Sequence, residues 1–296
     1  MEIRLYQTVY DEQSLKNKSP FCKPLVINNN RPYLFEYQGY EKMREDRLYK
    51  DCDYIGLFSP KFCQKTKISI LDVLSWIEHN PGYDIYTFNP FPGYSYFFFN
   101  QWECGEFNHP GIKDLAQLIF KRFGFGDINQ FPRMGVENVV YCNFWVGSSD
   151  FFKRYTGFLN EIVDYILTKP DLFLALTNHR SDNVPFFPFV IERLFNTYVY
   201  KSNKEFKVKP FLYPPNFYGS WIESVSLLRF ETYYLHLNLI VDQINKLDEA
   251  YAHSDLQSEY RAEFKRINSE ARKQVQDVIA GESGFSRLLK KLHRDI

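Results

Sequence analysis

The sequence predicts a mixed α/β fold in which a central, mostly parallel sheet is flanked by helices and followed by a helical C-terminal extension. Over the first two thirds of the chain, short apolar runs alternate with segments of helical periodicity, a pattern typical of strand–helix units. After a proline-rich stretch over 210–219 the chain contains no further proline and the pattern stays helical. We therefore predict an α/β domain over 1–215 and a helical extension over 216–296.

In the first half of the chain, three strands and two helices are predicted. Residues 2–10 alternate apolar and polar side chains, which indicates the first strand. Residues 33–49 are charged and spaced like a surface helix, and residues 53–59 form an apolar run typical of a buried strand. A helix is predicted over 69–79, where a Ser–x–x–Asp start precedes apolar residues at helical spacing, and a strand over 84–88.

The second half continues the same alternation. Residues 89–111 lack a clear period and are predicted to be a loop, which leads into a helix over 112–123. An apolar, β-prone run over 139–146 predicts a strand, and Ser149 is predicted to cap the helix that follows it. The remaining helices are predicted over 150–167, 185–200, 221–251, 254–280 and 285–296.

Composition restricts the class of protein. The 36 basic and 36 acidic residues give zero net charge, so no overall electrostatic field favours binding of nucleic acid, and nucleic acid is not expected as a partner.

The five cysteines form no Cys–x–x–Cys pair, which favours a reducing, cytoplasmic location over a disulfide framework or a zinc site. No signal peptide or membrane-spanning run is visible. The 29 Phe and 22 Tyr residues indicate an aromatic core, with some rings available to sugars or nucleobases.

Several enzyme classes lose support because their motifs are absent. The chain contains no GxGxxG, GxxxxGK[ST], GxSxG or HExxH sequence. Dinucleotide oxidoreductases, P-loop kinases, α/β hydrolases and zinc proteases are therefore disfavoured.

The densest group of reactive side chains lies in the predicted loop before residue 112. Trp102, Glu106 and His109 lie within a few residues of one another there. A carboxylate and a histidine can share acid–base work, and a tryptophan ring can stack on a sugar. The alternative is a solvated loop that precedes a helix, and composition favours neither interpretation.

Other candidate residues follow the predicted strands. Lys61 and Lys65 come just after the strand over 53–59 and could neutralise a phosphate, although surface lysines are common. Asn89 follows the next strand and either binds a hydroxyl or begins a turn.

Two further pairs place polar groups in apolar surroundings. Asn143 and Trp145 lie in the predicted strand over 139–146, where the amide needs either a ligand or a buried partner. Glu192 and Arg193 lie on an otherwise apolar helix and form either a structural pair or a base with a substrate clamp.

A metal site is a weaker hypothesis. Asp51 and Asp53 have the Asp–x–Asp spacing that can hold a divalent cation, but they precede their strand, whereas ligands bind where strands end. The metal ligands are thus unassigned, with Mn²⁺ and Mg²⁺ as the candidate ions.

Taken in order, five segments resemble bacterial glycosyltransferase-like proteins encoded with capsule and lipopolysaccharide genes, which are distantly similar to GT-A-type capsular polysaccharide synthesis domains. The segments lie at 54–66, 83–91, 102–111, 141–146 and 188–195. The resemblance covers roughly residues 2–200 and implies a GT-A-like, Rossmann-like fold. It also implies that a nucleotide-sugar donor is used to extend a glycan or lipid-linked glycan acceptor. The chain departs from that pattern because it lacks an Asp–x–Asp pair after a strand.

On this hypothesis Glu106 is the first choice for the base that deprotonates the acceptor, and Glu192 is the second. His109 is a rival base or a proton donor, while Lys61, Lys65 or Arg193 would stabilise the leaving diphosphate. The alternative is a non-catalytic carbohydrate-binding or scaffold protein. Such a scaffold would hold a polymerase complex together through its C-terminal helices. On either hypothesis these helices could support a homo-oligomer or contact the inner membrane surface. The basic, amphipathic stretch 287–294 suits a membrane surface or a partner groove, but an ordinary solvated helix end is the favoured interpretation.

Overall fold

The computed structural model describes residues 1–28, 30–177, 184–202, 205–213 and 227–292, with the side chains of the last range described from 235 to 278. Within these residues six strands form one sheet in the order β2-β1-β3-β5-β4-β6. The strands are β1 (Ile3–Val9), β2 (Lys23–Val26), β3 (Tyr54–Phe58), β4 (Ile85–Thr87), β5 (Trp145–Ser148) and β6 (Val208–Pro210).

The sheet is mostly parallel, as predicted. Strands β1, β2 and β3 pair in parallel, and so do β4 and β6. Strand β5 runs antiparallel between β3 and β4, with Ile55 opposite Gly147 and Tyr86 opposite Val146. Because β5 is inverted, the residues just before it lie at the edge where its neighbours end. That edge, called the carboxyl edge below, therefore collects the ends of β1, β3 and β4 and the start of β5.

Helices account for most of the remaining described residues. In chain order they are α1 (Glu12–Lys16), α2 (Tyr37–Glu45), α3 (Phe62–Thr66), α4 (Ile70–His79), α5 (Tyr94–Phe97), α6 (Gln101–Asn108), α7 (Ile112–Phe123), α8 (Ser149–Leu167), α9 (Pro170–Phe173), α10 (Phe186–Lys201), α11 (Leu227–Tyr251) and α12 (Gln257–Leu292). No helix among the described residues is both long and apolar enough to cross a bilayer.

Alternating side chains of the strands build two hydrophobic cores. Ile55, Ile85 and Trp145 join a core with residues of α2, α7, α8 and α10. Phe58 and Val146, which point to the other face, join a second core with residues of α4, α11 and α12. Successive side chains of a strand point to opposite faces of the sheet, and both faces are buried here. The sequence of a central strand is therefore a nearly continuous apolar run.

The C-terminal helices cover one face of the sheet. Ile240 and Ile244 of α11 are fully buried in the second core, as is Phe264 of α12 at 2% exposure. The sequence predicts that α11 is buried against the α/β domain or against another copy. Among the described residues, α11 packs against the α/β domain. Most of the proposed boundary, over 214–219, lies outside the described residues, as do the side chains of the basic stretch 287–294.

Helix α6 corrects the sequence prediction of a loop over 89–111. The side chain of Asn100 accepts hydrogen bonds from the amides of Trp102 at 3.0 Å and Glu103 at 3.1 Å, which begins the helix. The Asn–x–x–Glu pattern is a recognisable helix start, but residues 101–108 carry no amphipathic period to accompany it.

The strand predicted over 139–146 is also wrong in its bounds. Strand β5 occupies Trp145–Ser148, because Cys142 and Asn143 adopt left-handed φ angles of 66° and 53° that no strand contains. Ser148 rather than Ser149 caps α8, accepting from the amide of Phe151 at 3.2 Å. Strands β2 and β6 are short and at or near the sheet edges, and they were not predicted.

Candidate active site at the carboxyl edge

A small recess at the carboxyl edge joins distant parts of the chain. Its lining includes Thr8 of β1, Glu36 at the start of α2, Ser59 after β3, and the segment Cys142–Asn143 before β5. Phe35, with φ of 45°, turns the chain immediately before Glu36. The parallel strands β1 and β3 position Thr8 and Ser59, and the antiparallel strand β5 positions Cys142 and Asn143. Ligands of open α/β sheets bind at this edge.

Glu36 is the most perturbed carboxyl group of the recess. Desolvation, followed by the nearby charge of Glu192, raises its pKa to about 7, and the charge of Lys65 partly opposes the rise. The residue as a whole remains exposed to solvent. Both observations fit a carboxyl group surrounded by protein on most sides and open to water on one. At neutral pH such a group exists in both protonation states, which suits proton transfer.

Lys65, Cys142 and Glu192 form a connected group beside Glu36. The ammonium group of Lys65 lies 3.3 Å from the sulfur of Cys142, whose backbone amide donates to Oε1 of Glu192 at 3.0 Å. Burial alone would lower the pKa of Lys65, but Cys142 and the carboxylates of Glu192 and Glu36 outweigh it and raise the pKa. Burial, reinforced by Glu192, raises the pKa of Cys142 to about 12. The lysine therefore stays charged and the thiol stays neutral.

Two asparagines next to this group have buried atoms without a hydrogen-bond partner in the part of the chain that the structure describes. They are Oδ1 of Asn143, a residue 4% exposed, and Nδ2 of Asn89, a residue 5% exposed. The amide of Phe88 donates to the carbonyl of Phe144 at 2.9 Å. Asn89, which follows Phe88, and Asn143, which precedes Phe144, are therefore each next to one end of the same hydrogen bond. An unpartnered buried polar atom costs about 1–3 kcal/mol unless a ligand or an ordered water satisfies it, so both atoms are available to a ligand.

Among the residues proposed from sequence, Lys65, Asn89, Asn143 and Glu192 thus lie at this edge. Lys61 is exposed on the turn before α3. Its side chain makes no hydrogen bond or ion pair with the described residues.

Glu106 lies on α6 and caps the next helix. Its two carboxylate oxygens accept hydrogen bonds from the amides of Gly111 at 2.9 Å and Lys113 at 3.1 Å, at the start of α7. Both atoms are therefore engaged at a helix N-terminus, where a negative charge is stabilised by the helix dipole. This arrangement supports a structural role.

The aromatic candidates are core residues. Trp102 is 0% exposed and donates from Nε1 to Oγ1 of Thr197 at 3.1 Å. Trp145 is 1% exposed and stacks on Tyr40 with ring centroids 5.6 Å apart. His109 is 3% exposed and stacks on the ring of Phe189 at 3.6 Å. None of these three offers an exposed face on which a sugar could stack.

Arg193 joins two helices. Its Nε donates to the carbonyl of Gln101 at 3.0 Å and one terminal nitrogen to that of Phe189 at 2.7 Å. A Cβ on Gly105 would lie 2.4 Å from Nε of the arginine, so the glycine makes room for it. Arg193 therefore fastens α10 to α6 and does not face the recess residues.

Asp51 and Asp53 lie at the opposite edge of the sheet, as their position before β3 predicts. Oδ2 of Asp53 accepts from the amide of Glu2 at 2.7 Å, beside an open cleft that also contains Asp150. At the carboxyl edge the oxygen donors suited to Mg²⁺ or Mn²⁺ belong to Glu36, Glu192 and Asn143. Among the described residues, no group of three or more His, Cys, Asp or Glu could hold a metal ion.

Glu36 and Cys142 were missed by sequence reasoning. Glu36 could have been found had β2 been recognised, because it belongs to the segment that follows this strand. Strand β2 has only four residues, of which three are exposed, and the apolar run around it is only four residues long.

Comparison with known proteins gives one distant match. No family model and no curated protein matches the chain. A solved structure, the apo form of the bifunctional glycosyltransferase WbbM, is similar over 72% of this chain with a TM-score of 0.48 and 15% sequence identity. The chain spans less than half of that protein, 46% of its length. A likeness this distant transfers no activity.

Proposed function

We propose that this protein is a glycosyltransferase that moves a sugar from a nucleotide-sugar donor to a hydroxyl group of a glycan or lipid-linked glycan acceptor. The observation that carries the proposal is the convergence of Glu36, Glu192, Lys65 and the unpartnered amides of Asn89 and Asn143 at one sheet edge. A base, a cation and free amide groups are what sugar transfer needs.

The chemistry assigns a separate task to each charged group. Glu36 accepts the proton of the acceptor hydroxyl group while the oxygen of that hydroxyl group attacks the anomeric carbon of the donor. The bond between that carbon and the phosphate oxygen breaks, and the nucleoside diphosphate leaves with the electron pair. Lys65 offsets the charge of the leaving group. Glu36 replaces Glu106 as the proposed base because both oxygens of Glu106 cap α7.

The two asparagines would bind sugar hydroxyls. Nδ2 of Asn89 is a free donor and Oδ1 of Asn143 a free acceptor. A hydroxyl group can donate and accept at once, so it satisfies both requirements. A divalent cation such as Mg²⁺ or Mn²⁺ would be bound mainly by the substrate phosphates, and Glu192 is the carboxylate of this edge that could join them, since Glu36 acts as the base. It would supply further charge stabilisation for the diphosphate.

The direct test is a panel of UDP-, GDP- and dTDP-sugars, each with and without Mn²⁺. Thermal stabilisation by one donor, and its slow hydrolysis, are expected from the wild-type protein. Glu36→Gln should retain donor binding and lose turnover about 100-fold or more, since general-base catalysis contributes about that much. Glu45→Gln, an exposed position on the same helix α2, is the matched control and should behave like wild type.

Two outcomes would contradict the proposal. Turnover of Glu36→Gln at the wild-type rate would show that Glu36 is not the general base. No response to any donor, with glycan binding retained, favours instead the non-catalytic carbohydrate-binding or scaffold protein.

A further inference from the structure

Phe35, which directly precedes Glu36, has a backbone conformation that glycine adopts more readily. Its φ of 45° and ψ of −129° lie in a region that is costly for residues with a Cβ. The turn ends a short 3₁₀ helix (Pro32–Leu34) and leads into α2. Glycine would make the same turn without strain, so the turn explains the φ angle and leaves the phenylalanine side chain unexplained.

The side chain of Phe35 is not part of a core. It is 42% exposed and belongs to neither of the two hydrophobic cores. Within the part of the chain that the structure describes, no other aromatic ring and no cation lies against it. Backbone strain of this kind concentrates at functional sites. An exposed apolar ring on a strained residue therefore indicates a contact with a ligand.

A second partly exposed ring lies near Glu36. Tyr10 follows β1 at the carboxyl edge and is 52% exposed. Desolvation, then the charge of Asp11, then that of Glu36 raise the pKa of the Tyr10 phenol, which places Tyr10 close to Glu36. Glu36 therefore has two partly exposed aromatic residues as neighbours, Phe35 along the chain and Tyr10 across the sheet edge.

The order of the strands separates the two substrates. Phe35 and Tyr10 follow β2 and β1, whereas Lys65 follows β3, which comes next in the order β2-β1-β3-β5-β4-β6. Since Lys65 would offset the charge of the leaving diphosphate, the donor lies towards β3 and β5. The acceptor hydroxyl group must come within about 2.6–3.2 Å of Glu36. The rest of the acceptor then lies towards β1 and β2, where the two rings are.

We propose that Phe35 is an acceptor-binding residue, whose ring contacts the apolar C–H face of the sugar that presents its hydroxyl group to Glu36. This inference rests on the proposed transferase function and gives it an acceptor class, a pyranoside whose terminal sugar has an unsubstituted C–H face. An aromatic ring offers a large apolar area and loses little entropy on binding, because it has only two side-chain torsions. Phe35 does not touch the reacting atoms, and Glu36 remains the base.

The test measures the kinetics of the full chain with a panel of methyl hexopyranosides as acceptors and UDP-, GDP- and dTDP-sugars as donors. In Phe35→Ala the KM for the acceptor should rise about tenfold, while the KM for the donor should change by less than about twofold. Phe35→Tyr keeps an aromatic ring of the same size and should keep the acceptor KM of the wild type.

A glycine variant separates binding from folding. Phe35→Gly and Phe35→Ala both lack the ring, so they should raise the acceptor KM equally. Only alanine keeps a Cβ at the positive φ angle, so the melting temperature of Phe35→Gly should exceed that of Phe35→Ala by about 2 °C or more. Weaker acceptor binding in the more stable variant cannot arise from damage to the fold. Equal melting temperatures would overturn the strain argument, and the inference with it.

Phe21→Ala is the matched control. Phe21 is 51% exposed and precedes β2, so it lies at the edge of the sheet opposite Glu36. This variant should keep both KM values of the wild type. The inference is overturned if Phe35→Ala has the acceptor KM of the wild type. It is also overturned if the donor KM rises as much as the acceptor KM, which would place the donor on the ring.

Failure of this inference can be separated from failure of the transferase function. Donor hydrolysis without transfer to any methyl hexopyranoside, or transfer that does not depend on Phe35, overturns the acceptor role alone. If no donor gives a response, the transferase function is overturned, and direct titration with the same glycosides decides the rest. Binding that is lost in Phe35→Ala and kept in Phe35→Tyr retains Phe35 as a sugar-binding residue, and binding that is equal in all variants overturns that as well.

Discussion

The backbone amide of Cys142 donates a hydrogen bond to Oε1 of Glu192 at 3.0 Å, joining the segment before β5 to the middle of α10. The segment needs such a partner because Cys142 and Asn143 both occupy the left-handed region, which is costly for residues other than glycine. The same bond sets the position of the Lys65–Cys142 contact and of the unpartnered Asn143 amide. One carboxylate on a helix thus shapes the candidate site.

Replacing this carboxylate should loosen the site. Glu192→Ala leaves the amide of Cys142 without its acceptor, so we expect a loss of about 1–2 kcal/mol in the free energy of unfolding, together with weaker donor binding. Glu192→Gln keeps an oxygen acceptor and should be milder on both counts. Urea unfolding and donor titration measure the two effects. Equal donor affinity in Glu192→Ala and wild type would contradict a role in shaping the site.

Glu36 should make stability depend on pH. Its pKa is about 7 in the folded protein against an ordinary value of 4.5, so the folded state holds more protons between these values than the unfolded state does. The free energy of unfolding must therefore fall as pH rises through this window. Glu36→Gln has no such proton and should gain stability relative to wild type over the same window.

Urea unfolding of both proteins below, within and above that window measures the difference. Glu45→Gln, exposed on the same helix, should show no change with pH relative to wild type. A constant difference between Glu36→Gln and wild type would show that the pKa of Glu36 is not raised.

Glu106→Gln should affect stability and leave turnover unchanged. The change removes the charge that faces the amides of Gly111 and Lys113, which we expect to cost about 0.5–1 kcal/mol. Donor turnover and thermal unfolding are measured on the same preparation. A loss of turnover without a loss of stability would return Glu106 to the catalytic role predicted from sequence.

Trp102→Ala should damage the core. The ring is fully buried, packs edge to face on Phe120 and bonds to Thr197, so its loss should destabilise the protein by about 3–5 kcal/mol. Equilibrium unfolding gives the value. Protein that remains folded should bind glycan as wild type does, whereas a selective loss of glycan affinity at full stability would support the stacking role.

Asp248→Ala should weaken the packing of the C-terminal helices on the domain. In the wild-type protein, two nitrogens of the buried Arg133 guanidinium each lie 3.1 Å from an oxygen of the Asp248 carboxylate. The substitution leaves this charge without its carboxylate partner and should lower the free energy of unfolding by about 3 kcal/mol. Asp242→Ala, exposed on the same helix α11, should cost little. A single unfolding transition shifted as a whole would show that helices and sheet unfold together; unchanged stability would contradict the packing argument.

Much of the fold could be predicted because its signals are local. The helix over 112–123 matches α7, and the predicted start at Ser69 is a capping box with Asp72, whose side chains bond each other's backbone amides. The apolar runs at 53–59 and 84–88 contain β3 and β4. Strands β2 and β6 were not predicted, since each has only three or four residues and is too short to show a period.

The candidate site was predicted only in part. Lys65 and Asn89 were singled out because they follow apolar runs, and Asn143 and Glu192 because they lie within apolar segments. Trp102 and Trp145 were proposed for binding, but whether a ring is buried or exposed depends on neighbours such as Thr197 and Tyr40, which are distant along the chain.

The sequence by itself determined the class of fold, since strand and helix periods are set by neighbouring residues, and it determined which residue types could carry chemistry. The tertiary structure decided which of them meet. Inversion of β5 brings Cys142 and Asn143 to the edge where β1 and β3 end, opposite Glu36. Desolvation and the approach of another carboxylate both depend on residues that are distant along the chain, so the raised pKa of Glu36 exists only once the surrounding protein and Glu192 are in place.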